Sequence, residues 1–160
     1  MQIKIRRAVR DDAETIARYA QKLVLQHQGY DAHRFAILAG HANMARFYGS
    51  QVDRKDAALL VAELAGEIVG FAYVQYETED YVNLLSNVAW LHDLYVDEAA
   101  RGSGAGKMLI EETVKIAREF SANKLMLSVA AQNNVAQHLF GQFGFQTTML
   151  EMMLDLSKEN

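Results

Sequence analysis

Cysteine and proline are both missing from this chain. The first absence excludes a disulfide framework, a thiolate zinc site and any mechanism that runs through a cysteine nucleophile, and it fits a reducing, cytoplasmic setting. The second is unusual, because average usage of about 5% predicts roughly eight prolines, and no function follows from it. A strong charge of either sign is missing too: 16 basic against 20 acidic residues leave a net −4, which offers no basic footprint for nucleic acid. The locally basic cluster Lys4, Arg6, Arg7 and Arg10 reads more simply as the solvated side of an alternating strand. Long apolar runs are lacking, since no window approaches the ~20 residues that span a bilayer, and the first ten residues have no signal-peptide core. A protein without membrane association is expected. His27, His33 and His41 match no i, i+4 metal pair, so no metal site is expected either.

What is present reads as one continuous domain over residues 1–160, with no repeat, linker or low-complexity tract. Ile3 to Val9 alternates as a half-buried strand, and Asp11-Asp12-Ala13-Glu14 supplies the caps and first-turn acids of a helix. Ile16, Ala20, Leu23 and Val24 carry that helix to a stop at Gly29. A second helical region is predicted from Asp31 to Gln51 through Phe35, Leu38, Ala42 and Ala45, with Gly40 as a break. Ala57 to Leu64 and Ile68 to Glu77 form an antiparallel pair across Ala65-Gly66-Glu67. Glu79 to Asn87 reads as polar and irregular, and Ala89 to Val96 as the next strand. A helix through Leu109, Thr113, Ile116, Ala117 and Phe120 follows, then a strand from Lys124 to Ala130, a short helix from Asn133 to Phe143 and a last strand from Thr148 to Leu156. The order β-α-α-β-β-β-α-β-α-β is an α/β pattern with a parallel crossover around residue 101.

Between the strand ending at Val96 and the following helix lies Arg101-Gly102-Ser103-Gly104-Ala105-Gly106-Lys107. Alternate glycines let backbone amides approach an anion closely, the helix start favours negative charge, and Arg101 and Lys107 add positive charge. A pyrophosphate suits such a loop. A Walker A motif fails, because arginine stands at 101 where its first glycine belongs and methionine at 108 where its hydroxyl belongs. The dinucleotide fingerprint fails at Lys107, and the loop comes too late in the chain.

These residues resemble the GNAT superfamily of N-acetyltransferases, whose loop reads [RQ]-x-x-G-x-[GA] directly after a strand such as Leu94-Tyr95-Val96. A second family pattern, N-x-x-A-x-x-x-[YF]-x-x-x-G-F, matches Asn133, Ala136, Phe140, Gly144 and Phe145. The resemblance implies a fold with a mixed, mostly antiparallel central sheet flanked by helices and a parallel, splayed strand pair at the coenzyme site. It implies acetyl-CoA as donor, with Leu94, Tyr95 and Val96 on the pantetheine arm, residues 101–107 on the pyrophosphate, and Asn133 and Phe140 on the far side. Asn133 reads equally as a plain helix cap.

The implied reaction is direct acetyl transfer to a primary amine of a small molecule or peptide. An amine of pKa ~10.4 is neutral in about one molecule in a few thousand at pH 7, so a base or water relay is needed. His92, with Asp93 beside it, stands on the strand leading to the thioester, and a histidine there is either the base or a structural residue. Regular strand geometry turns His92 and Asp93 to opposite faces, which a bulge would relax. Many members protonate the departing thiolate with a tyrosine where Phe140 stands; Tyr95 is the substitute candidate. Phe140 keeps open a non-catalytic acyl-CoA sensor, and transfer of a longer acyl group is a further alternative. Tyr30, Asp31, Phe35, Tyr48, Gln75 and Tyr76 are the substrate-side candidates, each with ordinary surface as its alternative. The run Met149-Leu150-Glu151-Met152-Met153-Leu154 is either a core strand or an edge completed by another subunit, the second giving a homodimer.

Overall fold

The structure, a computed structural model, describes residues 2–37 and 39–157. Leu38, one of the positions of the second helical pattern, lies outside them. The elements run β1 (Ile3–Arg7), α1 (Ala13–Tyr30), α2 (His41–Gln51), β2 (Ala57–Leu64), β3 (Glu67–Asp80), β4 (Leu85–Val96), α3 (Ala105–Glu119), β5 (Lys124–Leu127) and α4 (Asn134–Gln142). The strands form one sheet in the order β1-β2-β3-β4-β5. The first three pairings are antiparallel and β4–β5 is parallel, as expected for the crossover through α3.

Strand periodicity divides the core into two faces. On one, Leu59, Val61, Phe71, Tyr73 and Tyr95 meet Ile16 and Ala20 of α1 and Tyr48 of α2. On the other, Leu60, Ala62, Ala72 and Leu91 meet Ala105, Leu109 and Ile110 of α3 and Phe140 of α4. Helices on both sides explain why the first six residues of β2 are all buried. Each large side chain fully buried this way, such as Phe71, Ile16 or Leu60, contributes about 1.5–3 kcal/mol.

Four expectations need correction. Helix α1 runs through Gly29 to Tyr30, and the described residues among 31–40 are not helical. The stop is Asp31, which is extended (φ −158°) and accepts hydrogen bonds from the amides of His33 and Arg34 at 3.0 Å each, a local turn that competes with helix. The supposedly irregular stretch 79–87 is instead the end of a long hairpin, with Glu79 paired to Ser86 and Asp80 to Leu85; its polar side chains suit a projecting ribbon. Strand β5 ends at Leu127, not Ala130. Residues 145–154 carry no assigned strand, so the expected strand at 148–156 is absent among the described residues. The hairpin at Ala65-Gly66 is as expected, with both residues at positive φ (54° and 85°), the geometry that matches strand twist.

Candidate active site

The glycine loop opens from a short 3-10 turn (Glu98–Ala100) into α3. Gly102 and Gly104 both adopt left-handed backbone (φ 80° and 92°), and a Cβ on either would meet only open space. Packing within the chain therefore does not demand glycine there; the backbone turn and the accessible amides do. Gly104 caps α3, whose first-turn amides have no intrahelical acceptor. Ser103 closes the turn, its amide donating to Ala100 at 3.2 Å and its hydroxyl accepting from Ala105 at 3.4 Å. Arg101 and Lys107 are only loosely engaged, with nearest carboxylates at 3.7 and 3.9 Å on Glu98 and Glu111. The loop thus combines two loosely engaged cations with open space at Gly102 and Gly104 and the unpaired first-turn amides of α3,. It fits a pyrophosphate.

Beside the loop, β4 and β5 part. β5 pairs with β4 only from Val88 to Leu91, so the following residues of β4 keep a free edge while Ala72, Phe71 and Gly70 hold Leu94, Tyr95 and Val96 from the other side. Gly70 is what allows this approach, since a Cβ there would stand 2.6 Å from the Tyr95 carbonyl oxygen. Just before the free edge the register slips: Tyr73 pairs with Asp93 but Val74 with Leu91. His92 is the extra residue of a β-bulge. Leu91 and Leu94 consequently share the α3 face, and Asp93 and His92 both turn to the other. His92 stacks on Tyr73 at 5.5 Å and on Trp90 at 6.4 Å, while Asp93 accepts a 3.0 Å hydrogen bond from Tyr48. The regular-strand objection to the pair is removed by the bulge.

Asp93 is half-buried. Desolvation pushes its carboxyl above the usual range, opposed by the Tyr48 hydrogen bond and by His92 and His27 nearby. Burial and the adjacent carboxylate push the Tyr48 hydroxyl far upward, so it stays a donor. A carboxylate held partly out of water, without a cationic partner among the described residues, is poised to accept a proton or hold a cation.

The Acetyltransferase (GNAT) family model matches residues 20–145. The chain belongs to this family. GNAT relatives include an uncharacterized N-acetyltransferase, YhfO, of Bacillus subtilis, 30% identical over 62% of this chain and 66% of its own. The spermine/spermidine N(1)-acetyltransferase of the same organism is 32% identical over 51% and 54%. The D-amino-acid N-acetyltransferase HPA3 of Saccharomyces cerevisiae is 29% identical over 79% and 76%. The chain spans about half to two thirds of the length of the first curated relatives it matches. Among solved structures, aminoglycoside N-acetyltransferase AAC(6')-Iy in complex with CoA superposes with TM-score 0.78 at 16% identity, covering 96% of this chain and 94% of that one. The mixed sheet flanked by helices is thus the GNAT fold.

The remaining candidates of the GNAT pattern divide. Asn133 is the cap of α4, accepting from Ala136 at 3.1 Å. Phe140, 8% exposed, is a core residue edge-on to Phe145 and carries no polar side-chain atom. Tyr95 is buried on the opposite face from Phe140, tilted against Tyr19 at 5.5 Å. Of the substrate-side residues, Tyr48 and Gln75 lie on the Asp93 face of the sheet, Tyr48 bonded to Asp93 and Gln75 accepting from the Tyr73 hydroxyl at 3.0 Å. Tyr30, Asp31 and Phe35 cluster at the end of α1, where Phe35 meets His27 edge-on at 4.8 Å. Tyr76 needs correction: strand alternation sends it to the α3 face, against Phe120 at 5.8 Å and bonded to Asn87 at 2.8 Å, away from the cleft. Sequence reasoning missed Tyr73, Phe47, Gln51 and His27. Tyr73 carries the cleft, stacked on His92, edge-on to Phe47 at 5.7 Å and bonded to Gln51 at 2.9 Å. Only knowledge of the bulge register would have singled it out.

Proposed function

We propose that the protein transfers an acetyl group from acetyl-CoA directly to a primary amine of a small molecule or peptide. The observation that carries this reading is the adjacency of an open glycine cradle at the start of α3 and a bulged strand that turns His92 and Asp93 into one cleft. Residues 101–107 hold the pyrophosphate, and the free edge of Leu94, Tyr95 and Val96 binds the pantetheine arm through backbone groups. The amine attacks the thioester carbonyl; a C–N bond forms, the C–S bond breaks and the thiolate departs. Asp93, raised by burial, takes the proton lost by the amine nitrogen, and the exposed imidazole of His92 passes it to water. The Tyr48 hydroxyl holds the carboxylate in position, and the rings of Tyr73 and Trp90 fix His92. With phenylalanine at 140, and Tyr95 turned to the other face, the thiolate leaves without a side-chain acid, which a thiol of pKa ~8.5 tolerates. Two relatives, a spermine/spermidine N(1)-acetyltransferase and a D-amino-acid N-acetyltransferase, support an amine acceptor. The protein works in the cytoplasm in this reading.

A second reading is a non-catalytic acyl-CoA sensor, favoured by the buried Phe140; transfer of a longer acyl group is the other enzymatic version. Calorimetric titration with acetyl-CoA, then thiol release against a mixed amine panel, tests all three. Binding with release for some amine supports the transferase. Binding without release for any acetyl, propionyl or succinyl donor supports the sensor, and absence of binding rejects the cradle.

A further inference from the structure

His92, the extra residue of the bulge, is exposed and makes no side-chain hydrogen bond among the described residues. Its ring is held by two near-parallel neighbours, Tyr73 at 5.5 Å and 26° and Trp90 at 6.4 Å and 23°. The imidazole is therefore only as well oriented as those two rings. Tyr73 is anchored through its hydroxyl, which donates to Gln51 at 2.9 Å and to Gln75 at 3.0 Å, and Gln51 is itself buried. Trp90 is anchored through its indole N–H, which donates to Asp80 at 3.0 Å.

The second anchor is the unexpected one. Asp80 ends β3 at the tip of the projecting hairpin, yet it is only 8% exposed and has no cationic partner among the described residues. Holding the turn accounts for one of its oxygens: Oδ1 accepts from the Asn83 amide at 3.0 Å. The other, Oδ2, accepts from the Asn83 side chain at 2.8 Å and from Trp90. These donors, the Asn83 side chain foremost, hold the carboxyl below the usual carboxylate range, so both oxygens remain acceptors. Reaching Trp90 takes a bend in the ribbon. Leu85 stands opposite Asp80, and the strand from there to Trp90 covers on the order of 16 Å if flat, more than the two side chains can span. The hairpin curls back over this stretch, where Asn87 has left-handed backbone (φ 48°). A turn by itself requires neither the bend nor an indole donor brought to its carboxylate.

We propose that Asp80 is a positioning residue for His92: by anchoring the Trp90 indole it fixes the plane against which the imidazole stacks, and so couples the hairpin tip to the cleft. The proposal rests on the reading of His92 as the group that passes the amine's proton to water. Without the anchor the indole can change its χ angles, and His92 loses one of the two walls that orient it.

Trp90 is the single tryptophan of the chain, so all tryptophan emission reports on this contact. An imidazolium stacked on an indole quenches it, and histidines change charge between about pH 8 and pH 5. Emission should fall across that range in the wild type and hold steady in His92→Gln. In Asp80→Asn, whose one acceptor oxygen cannot serve both the turn amide and the indole, the fall should shrink to about half or less. Asn83→Ala, which loses a turn contact and keeps the indole bond, should retain it. This arm needs no substrate, so it decides the role of Asp80 even if no amine is ever acetylated and the transferase reading fails. In the amine assay, Asp80→Asn should lower kcat about tenfold with KM for acetyl-CoA unchanged, less than the ~10²-fold that a misplacement of ~1 Å can cost. Trp90→Phe, which keeps a ring and lacks the N–H, should lose a similar factor, and the double variant should be no worse than either single one. If Asp80→Asn does not fold by circular dichroism, Trp90→Phe decides alone, and a wild-type kcat there overturns the proposal. So does a wild type whose emission does not fall, a fall that survives His92→Gln or is intact in Asp80→Asn, an equal loss in Asn83→Ala, or effects of the two substitutions that multiply.

Discussion

In the proposed mechanism, Asp93 and Tyr48 form the pair on which the chemistry turns. Burial raises the Asp93 carboxyl and the Tyr48 hydrogen bond lowers it, so the ring hydroxyl keeps the base ionised at lower pH than burial alone would allow. Tyr48→Phe removes only the lowering contribution, and the carboxyl then rises further. Because the base must be ionised to act, the acidic limb of the kcat/KM profile should move to higher pH; a profile that stays in place removes Tyr48 from the mechanism. Asp93→Asn should lower kcat about 10²–10⁴-fold, the range for loss of a general base, with acetyl-CoA affinity retained. If His92→Ala costs more than Asp93→Asn in the same assay, the two exchange roles. Little of this pair's geometry was legible in the sequence. His92 and Asp93 stood out by type, but their shared orientation depends on a bulge, a pairing irregularity between two strands that neither strand's own pattern records.

At the scale of elements, the glycines separate structural from functional demands. Gly104 is left-handed with open space at its Cβ direction, so Gly104→Ala should lose only about 1–2 kcal/mol, the backbone cost of a non-glycine residue there. Gly104→Glu should in addition abolish acetyl-CoA binding, since the side chain enters the space assigned to the pyrophosphate. Gly70 is the opposite case: its neighbours are the Tyr95 carbonyl oxygen and the Val96 Cα at 2.6 and 3.3 Å, backbone atoms that cannot step aside. Gly70→Ala should therefore lose about 1–3 kcal/mol by overpacking, read as a lower urea midpoint. The entry to α1 offers a pH test. Asp12 is held below the usual carboxylate range first by its hydrogen bond to Arg6, at 2.6 Å, and further by the Val9 amide at 2.8 Å. A carboxyl depressed in the folded state stabilises above its unfolded pKa of ~3.9, and that contribution fades as pH falls through the lower folded value. Asp12→Asn should thus be about 1.5–3 kcal/mol less stable than wild type at pH 7, with the difference shrinking once both are acidified below pH 4. Here the sequence was informative for the strands of the central hairpin and for α3, where periodicity is long. It misled over 31–40, because an Asx turn at Asp31 outcompetes an apolar spacing that looks helical.

For the whole molecule, what the sequence could not convey is which apolar runs a single copy buries. Residues 57–62 and 149–154 are comparably apolar, yet the first lies between two helical layers and the second is solvent-exposed, a difference set by topology and not by composition. The same topology puts the cradle and the base on separate parts of β4 and α3, so binding and chemistry should be separable by mutation. A ligand that binds only the folded state stabilises it by RT ln(1 + [L]/Kd), about 2.7 kcal/mol at one hundred times Kd. For a chain of this size that is a rise in Tm of roughly 5–10 °C. Acetyl-CoA should produce this shift in the wild type and equally in Asp93→Asn, because the proposed mechanism puts Asp93 at the amine and not at the pyrophosphate. Gly104→Glu should show none while melting cooperatively by itself. A shift lost in Asp93→Asn would mean that the cleft and the cradle are one binding unit, and the division of labour between bulge and loop would have to be redrawn.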